Sequence, residues 1–252
     1  MIYFIGAGPG DKELITLKGH KYLTLADSII YAGSLINHEL LDYAKNGCDL
    51  HDSAKMTLEE VIEIMLQNEK NNLITARLHT GDPSIYGAIK EQIDKLEQNN
   101  IPYEIIPGVS SFAGAAAALG KEYTLPGISQ TVILTRMEGR TPVPEKEKIP
   151  KLAAIQASMA IFLSGAMLKD LSKELIEGGY PRDTPAAIVY KATWPDEKTI
   201  KTTIENLQDA AAEANISKTA LILVGNFLES EYERSQLYNP EFTHGYRTGK
   251  EK

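Results

Sequence analysis

The sequence predicts two α/β domains, the first built on a mainly parallel sheet and the second on a mixed sheet. Apolar runs alternate with helical patterns over residues 1–114, and this alternation is typical of parallel strands joined by helices. Two apolar runs of the second half flank the turn Trp194-Pro195-Asp196, which indicates an antiparallel hairpin. We therefore expect domains over 1–114 and 115–228, followed by a polar tail over 229–252.

The first half is expected to contain four strands and three helices. The clearest is the helix that Thr57 opens, because Thr57-Leu58-Glu59-Glu60 has the sequence of a capping box and apolar residues follow at helical spacing. A second helix is indicated by the apolar stripe of Ile85, Ile89, Ile93 and Leu96. The remaining elements are a helix over Leu14–Ala26 and strands over Ile2–Ile5, Ser28–Ala32, Leu73–Leu78 and Tyr103–Ile106.

The second half is expected to contain five strands and two further helices. One helix covers Leu168–Ile176 and is stopped by Gly178-Gly179, and the other covers Leu207–Ala214. The expected strands are Gln130–Thr135, Met159–Leu163, Ala186–Lys191, Thr199–Thr203 and Ala220–Val224.

Composition and charge exclude several classes of protein. The chain has 252 residues, 43% of them hydrophobic and 24% charged, so it can bury a sizeable core and is not mainly disordered. Its net charge is −8, which argues against broad binding to nucleic acid or to an anionic membrane. No apolar run approaches the ~18 residues of a membrane span, and the N-terminus lacks a signal-peptide pattern. We therefore expect a cytoplasmic protein.

Neither disulfide nor metal chemistry is indicated. A single cysteine, Cys48, excludes an intramolecular disulfide framework and a multi-cysteine metal cluster. The five histidines do not show zinc-ligand spacing. We expect Cys48 to pack as a small apolar residue and the protein to bind no metal of its own.

A glycine-rich loop follows the first expected strand. Gly6-Ala7-Gly8-Pro9-Gly10-Asp11 has the setting of a dinucleotide fingerprint, but Asp11 stands where the third glycine of that fingerprint belongs. A phosphate-binding P-loop fails as well, because no Gly-Lys-Ser/Thr follows. The loop is then either a tight turn or a contact with an uncharged group, which the missing N–H of Pro9 suits better than a pyrophosphate.

Two further loops follow expected strands. Thr80-Gly81-Asp82-Pro83 and Pro107-Gly108-Val109-Ser110-Ser111 lie at the carboxyl ends of parallel strands, where open α/β sheets bind ligands. Taken singly, the first is an ordinary turn and the second is the N-cap of a small-residue helix from Ala113 to Leu119. Three glycine-containing loops at one edge favour a binding site over three separate turns.

In this order, the three loops resemble the signatures of the tetrapyrrole methylases, S-adenosylmethionine-dependent enzymes with two α/β domains and a ligand cleft between them. The resemblance covers nearly the whole chain. Within the family, Tyr31-Ala32-Gly33-Ser34-Leu35 and the stretch 129–142, Ser-Gln-Thr-Val-Ile-Leu-Thr-Arg-Met-Glu-Gly-Arg-Thr-Pro, resemble the branch that methylates C11 of precorrin-4 in cobalamin synthesis. The second stretch is long and distinctive, and it carries most of the resemblance to this branch.

The resemblance implies S-adenosylmethionine as the cofactor and S-adenosylhomocysteine as its product, folded into the cleft and not laid on the first glycine loop. The implied cofactor contacts in the first half are Pro9, Thr80, Gly81, Asp82, Ile85, Tyr86, Ser110 and Ser111. Those near the adenine are Leu163, Ala192, Thr219 and Ala220. Relatives often have methionine at position 163, where leucine keeps an apolar wall.

The implied acceptor is a small-molecule tetrapyrrole polycarboxylate. The resemblance places it beside Gly8, Pro9 and Gly10. Arg136 and Arg140 are the leading candidates to bind its carboxylates, since guanidinium groups bind carboxylates through two parallel hydrogen bonds. Without the resemblance, a solvated loop describes both arginines equally well.

The implied chemistry needs little from the protein beyond positioning. The methyl group of a sulfonium leaves by in-line displacement, so neither a covalent enzyme intermediate nor a protein-bound metal is required. Asp11 is the candidate catalytic residue, able to orient a ring N–H or take a proton, but the sequence does not select a general base. Lys12 and Arg77 are weaker candidates for binding carboxylates. A homodimer is implied by the resemblance alone.

Several alternatives stay open. A sibling methylase acting at another ring position has the same cofactor, although the 129–142 stretch argues against it. Related folds also methylate ribosomal RNA or a modified histidine of a translation factor, and the acidic charge disfavours RNA. A non-catalytic tetrapyrrole- or nucleotide-binding module is possible, and a dehydrogenase fits worst. The substrate is either cobalt-precorrin-4 or metal-free precorrin-4, with the short chain slightly more similar to the cobalt-route enzymes.

Overall fold

The computed structural model describes residues 1–163, 167–229 and 231–249, with the backbone alone for Ser34 and Leu163. The chain divides into two compact units. The first comprises Met1–Gly114 and the segment Lys191–Asp196, and the second contains the described residues from Ala115 to Tyr190 and from Glu197 onward. No helix in the described residues is long and apolar enough to cross a membrane.

The first unit contains a sheet of five parallel strands, counted over the described ranges. The strands are β1 (Ile2–Gly6), β2 (Ser28–Tyr31), β3 (Asp49–Asp52), β4 (Thr75–His79) and β5 (Tyr103–Ile106). They lie in the order β3-β2-β4-β1-β5, and every pairing is parallel. The expected parallel sheet is therefore confirmed. The edge strand β3 was missed because its sequence, Asp-Leu-His-Asp, is mostly polar and exposed.

Helices cover both faces of this sheet. They are α1 (Leu17–Leu25), α2 (Leu58–Lys70) and α3 (Lys90–Gln98), and α4 (Ser111–Leu119) follows β5. Side chains of a strand alternate between faces, so Tyr3 and Ile5 of β1 pack with Leu23 of α1. Ile2 and Phe4 pack on the other face with residues of α2 and α3.

This layering makes the carboxyl ends of β1 and β4 a point where the connections diverge to opposite faces of the sheet. The two strands are neighbours, but the chain leaves β1 for α1 on one face and leaves β4 for α3 on the other. In open α/β sheets, a ligand crevice forms where neighbouring strands diverge in this way. The first two glycine-containing loops lie at this point.

Two helix predictions change at their N-terminal ends. The helix expected over Leu14–Ala26 is interrupted, since Thr16 caps α1 and its hydroxyl accepts the N–H of Gly19 at 3.1 Å. The helix expected from Ile85 begins only at Lys90, because Tyr86 and Ala88 have φ values of 55° and 49°. A right-handed helix cannot contain such left-handed residues.

The second unit contains a mixed sheet of five strands among its described residues. These are β6 (Val132–Arg136), β7 (Ser158–Leu163), β8 (Pro185–Tyr190), β9 (Lys198–Thr203) and β10 (Ala220–Val224). Their order is β6-β7-β10-β8-β9, with β6 and β7 parallel and the other pairs antiparallel. Both the mixed sheet and the β8–β9 hairpin are confirmed. The helices are α5 (Ile149–Ala153), α6 (Leu168–Glu177) and α7 (Leu207–Glu213), and their apolar side chains share one core with the sheet.

Candidate active site

The first and second glycine-containing loops are joined through their backbones. The N–H of Gly81 donates to the carbonyl oxygen of Gly8 at 2.9 Å, and the N–H of Gly8 donates to the carbonyl of Gly81 at 3.2 Å. Both glycines lie in the left-handed region, with φ values of 78° for Gly8 and 62° for Gly81. Only glycine adopts this conformation at little cost. Just beyond β1 and β4, the two loops therefore pair with each other in an isolated antiparallel bridge.

Asp82 joins the second loop to the third. Its Oδ2 accepts the N–H of Gly108 at 2.8 Å, while its Oδ1 accepts the N–H and the hydroxyl of Ser84. Burial raises the pKa of Asp82, but the hydrogen bonds from Ser84 and Gly108 lower it by more, so the pKa lies below its ordinary value. Asp82 is thus an ionised carboxylate that holds the two loops together.

Gly6 and Gly108 allow the first and third loops to approach closely. A Cβ added to Gly108 would lie 2.2 Å from the carbonyl oxygen of Gly81 and 2.6 Å from the Cα of Gly6. A Cβ added to Gly6 would lie 2.5 Å from the Cα of Gly108. Side chains at these positions would overlap backbone atoms that cannot move separately, so glycine is required at both.

The structure places the predicted cofactor residues of the first half around this junction. Thr80 and Tyr86 are exposed, Ile85 and Ser111 are half-buried, and Ser110 is buried with its Cα 3.4 Å from a Cβ built on Gly81. The exposed Thr80 and the nearby Ser111 each have a hydroxyl that can form hydrogen bonds, and no side chain covers the backbone at Gly81. This arrangement fits a ligand with several hydrogen-bonding groups, as S-adenosylmethionine is.

The other half of the first loop has side-chain partners that the sequence did not predict. Trp194 donates its Nε1–H to the carbonyl oxygen of Pro9 at 2.9 Å, and Asn37 donates its Nδ2–H to that of Gly10 at 2.9 Å. The N–H of Asp11 donates to the hydroxyl of Thr193 at 3.0 Å. These partners lie 185, 27 and 182 residues away in sequence, so no local pattern could have found them.

Asp11, the candidate catalytic residue, is exposed and caps a short 3₁₀ helix. Its Oδ1 accepts the N–H of Glu13 at 2.9 Å. Beside it lies a cavity of about 410 Å³, lined in part by Asp11, Glu13, Lys12 and Glu39. The ammonium of Lys12 is 3.0 Å from the carboxylate of Glu39. Lys12, the weaker candidate for binding a carboxylate of the acceptor, is therefore already paired with a carboxylate of the chain.

The prediction that Arg77 could bind an acceptor carboxylate is wrong, because its guanidinium is buried in the first unit. The group donates to Gln92 Oε1 at 3.2 Å, to Ser53 Oγ at 3.0 Å and to the carbonyl of Ile30 at 3.3 Å. Burial lowers the pKa of Arg77 to about 10, which leaves the side chain charged at neutral pH.

His79 lies at the end of β4, just before the second loop. The side chain is buried, and its Nε2 has no hydrogen-bond partner among the described residues. Burial, and then the positive charge of Arg77, lower the pKa of His79 to about 3. The imidazole is therefore neutral at physiological pH.

Three of the positions predicted near the adenine lie together in the second unit. Ala220 pairs with Leu163 across β10 and β7, and Thr219 precedes β10 with a φ of 56°. The side chain of Leu163 lies outside the described part of the structure. Ala192 is buried and belongs to the segment of the first unit that also contains Trp194.

Arg136 is the last residue of β6, and Arg140 lies in the turn that follows. The guanidinium of Arg136 donates to the carbonyls of Met137 at 3.4 Å, Thr141 at 3.2 Å and Pro142 at 2.7 Å, which orders this turn. Arg140 is exposed at its tip. The structure thus engages the Arg136 guanidinium with its own turn, and the contact of either arginine with an acceptor stays a prediction.

Residues 1–208 match the family model of the Tetrapyrrole (Corrin/Porphyrin) Methylases. The chain is 53% identical to the cobalt-precorrin-4 C(11)-methyltransferase of Methanocaldococcus jannaschii, over 100% of this chain and 97% of the relative. It is 45% identical to the precorrin-4 C(11)-methyltransferase of Pseudomonas aeruginosa, over 98% of this chain and 99% of the relative. The solved structure of a cobalt precorrin-4 methyltransferase superposes with a TM-score of 0.89 at 48% identity, covering 91% of this chain and 96% of that one.

The family model spans well over half of the chain, and the relatives match it from end to end. The resemblance that the three loops indicated is therefore confirmed. The chain belongs to the tetrapyrrole methylase family.

Proposed function

We propose that this chain transfers a methyl group from S-adenosylmethionine to C11 of cobalt-precorrin-4 in cobalamin biosynthesis. The observation that carries the proposal is its similarity to named C11-methyltransferases over the full length of both chains. Two relatives named for cobalt-precorrin-4 are 53% and 48% identical, and one named for precorrin-4 is 45% identical. This order favours the cobalt complex as the substrate.

The junction of the three loops supports the cofactor assignment. When bound, S-adenosylmethionine supplies a methyl group already activated on a sulfonium. The chain's task is then to hold two ligands at a fixed distance and angle, and positioning of this kind can supply on the order of 7–11 kcal/mol. Asp82 and the paired glycines make the loops rigid, which suits this task.

The proposed cofactor contacts keep the residues that the resemblance implied. In the first unit these are Pro9, Thr80, Gly81, Asp82, Ile85, Tyr86, Ser110 and Ser111. The remaining contacts, Leu163, Ala192, Thr219 and Ala220, are proposed from the resemblance. Tyr86 and Thr219 are supported further by their left-handed backbone, since sparsely populated conformations cluster at binding sites.

For the acceptor, the proposal keeps Gly8, Pro9 and Gly10 as backbone contacts and Arg136 and Arg140 as partners of its carboxylates. Asp11 stays the candidate for orienting a ring N–H or taking a proton from it when the ring carbon is methylated. A homodimer, the usual state in the family, and a cytoplasmic location are also part of the proposal.

The test is a methyl-transfer assay on the purified chain. Methyl-labelled S-adenosylmethionine is offered with cobalt-precorrin-4 or precorrin-4 under anaerobic conditions, and the product is weighed by mass spectrometry. One labelled methyl per tetrapyrrole is expected, with the cobalt complex preferred. Transfer only to an earlier tetrapyrrole would favour a sibling methylase. S-adenosylhomocysteine binding without any transfer would favour a non-catalytic module.

A further inference from the structure

The segment Lys191–Asp196, here called the strap, is a compact turn that belongs to the first unit although its neighbours in sequence belong to the second. Lys191 Nζ lies 2.6 Å from Asp196 Oδ2 and closes the turn. The same ammonium lies 5.3 Å from the ring centroid of Trp194, within the range of a cation–π contact. Lys191 and Thr193 have φ values of 47° and 68°, an uncommon conformation, particularly for a β-branched threonine.

Two strap side chains bond directly to the first glycine loop. Trp194 donates to the Pro9 carbonyl at 2.9 Å, and Thr193 accepts the N–H of Asp11 at 3.0 Å. The indole also packs against Gly10, because a Cβ added there would lie 2.2 Å from Trp194 Cδ1. The strap thus contacts three consecutive residues that have no β-sheet partners.

The loop is consequently held in two separate parts. Its first part, at Gly8, bonds to Gly81 and so to the loops proposed to bind the cofactor. Its second part, Pro9 to Asp11, bonds to the strap and to Asn37. Removing a strap contact therefore leaves the Gly8–Gly81 pairing and the Asp82 bridge in place.

We propose that Trp194 and Thr193 are positioning residues that fix Pro9-Gly10-Asp11 in the conformation that receives the tetrapyrrole acceptor. This inference rests on the proposed function for the identity of the acceptor. It concerns only the hydrogen bonds of Trp194 and Thr193 to the loop, since Ala192 of the strap and Pro9 itself stay proposed cofactor contacts. These two bonds govern acceptor use, whereas Asp82 and the glycine pairing govern cofactor affinity.

The first test needs no substrate, because Trp194 is the single tryptophan of the chain and its fluorescence reports on the strap alone. Gly10→Ala should displace the indole toward water and move its emission to longer wavelength. Gly245→Ala is the matched control, since a Cβ there would meet nothing within 4 Å. Unchanged emission in Gly10→Ala would overturn the packing on which the inference depends.

The second test separates acceptor from cofactor. Thr193→Val removes the hydroxyl that accepts the Asp11 N–H but keeps the branched shape, and Thr193→Ser keeps the hydroxyl. Trp194→Phe removes the indole N–H but keeps an aromatic ring. Thr193→Val and Trp194→Phe should each raise the KM for cobalt-precorrin-4 by about 3- to 10-fold, the effect of one ordinary hydrogen bond. Thr193→Ser should retain the wild-type KM, and all three variants should bind S-adenosylhomocysteine within about 2-fold of wild type by calorimetry.

Equal losses of cofactor affinity and acceptor use, or a thermal unfolding temperature that falls in parallel with activity, would show a merely structural strap and overturn the inference. An unchanged KM in Thr193→Val and Trp194→Phe would overturn it as well. If the wild-type chain methylates no tetrapyrrole, the proposed function fails, and the fluorescence test still decides whether the strap orders the loop.

Discussion

The carboxylate of Asp82 accepts the backbone N–H of Gly108 at 2.8 Å, and this bond joins the loops that follow β4 and β5. The two strands are not neighbours, because β1 lies between them in the sheet. Asp82 therefore bridges across the end of β1, over the place where Gly8 and Gly81 pair. The site is organised by backbone contacts, and its side chains serve mainly to fix that backbone.

The Asp82 bridge predicts a selective effect of Asp82→Asn. The amide retains one acceptor oxygen, but its NH₂ would face either Ser84 or the Gly108 N–H, leaving a donor without an acceptor. We expect the free energy of unfolding to fall by about 1–3 kcal/mol and S-adenosylhomocysteine affinity to fall about 10-fold or more. Chemical denaturation and calorimetry measure both quantities.

Asp94→Asn provides the control for Asp82→Asn. Asp94 forms an exposed ion pair with Lys90 on α3, and such pairs contribute little to stability because water and salt screen them. Equal effects of Asp82→Asn and Asp94→Asn would contradict the bridging role of Asp82.

The lowered pKa of Asp82 also predicts a pH dependence of stability. The contribution of this carboxylate to stability is complete above its ordinary pKa of 3.8, and it is lost as pH falls through the lower pKa of the folded chain.

Two glycines of the site should respond differently to substitution. Gly108→Ala places a Cβ 2.2 Å from the Gly81 carbonyl oxygen, so we expect a loss of about 3 kcal/mol or more in unfolding free energy. The Cβ of Gly81→Val would meet its nearest atom at 3.4 Å, but the substitution puts a branched residue at a φ of 62°, a cost of about 1–2 kcal/mol.

Gly81→Val should accordingly fold and yet lose cofactor binding, because the new side chain fills the surface that the backbone presents. Thermal denaturation and S-adenosylhomocysteine calorimetry on both variants separate folding from binding. Normal S-adenosylhomocysteine affinity in Gly81→Val would refute the placement of the cofactor at this loop.

His79 predicts a pH dependence of stability. Its pKa is about 3 when folded, against 6.5 in a model peptide, so between these values the unfolded chain binds a proton that the folded chain does not. Stability from this group is therefore complete above pH 6.5 and falls as pH decreases. The loss between pH 6.5 and 5 should be about 1.5 kcal/mol.

The variant His79→Gln, which does not titrate, should lack this decrease. Comparing urea denaturation of the two proteins over this pH range cancels most of the contribution of carboxylates, which they share. Parallel stability curves for wild type and variant would show that His79 does not remain neutral in the folded chain.

Arg136 provides a test of the acceptor side. Arg136→Ala removes the positive charge and three hydrogen bonds to its own turn, so the KM for the tetrapyrrole should rise about 10-fold or more while S-adenosylhomocysteine affinity stays unchanged. Arg136→Lys keeps the positive charge but not the planar guanidinium group, so its KM for the tetrapyrrole should stay close to that of Arg136→Ala. A large loss of S-adenosylhomocysteine affinity in Arg136→Ala would show that Arg136 belongs to the cofactor site and not to the acceptor site.

The sequence predicted most elements because their signals are local. The capping box at Thr57 forms as expected, with Thr57 Oγ1 accepting the N–H of Glu60 at 3.3 Å and the carboxylate of Glu60 accepting that of Thr57 at 2.7 Å. Apolar runs identified every strand except β3. That strand lies at the edge of the sheet and is mostly exposed, so its side chains can be polar. The late start of α3 was missed because left-handed Tyr86 and Ala88 interrupt an otherwise helical apolar stripe.

The site was predictable at the level of loops and not of contacts. Parallel strand order implied that the three glycine loops share an edge, and the structure places them there. The role of Asp82 as a cofactor contact stays a prediction, but the sequence did not predict that its two oxygens accept hydrogen bonds from Ser84 and Gly108. Contacts such as Trp194 with Pro9 depend on how distant segments pack, which spacing along the chain does not encode.

The most direct measurement is the position of the transferred carbon. Cobalt-precorrin-4 and precorrin-4 are incubated in competition with the wild-type chain and ¹³C-methyl S-adenosylmethionine, and the product is mapped by NMR. We expect a single labelled methyl at C11, formed faster on the cobalt complex. A labelled methyl at any other ring position, or unlabelled tetrapyrrole recovered from a chain that still binds S-adenosylhomocysteine, would contradict this expectation.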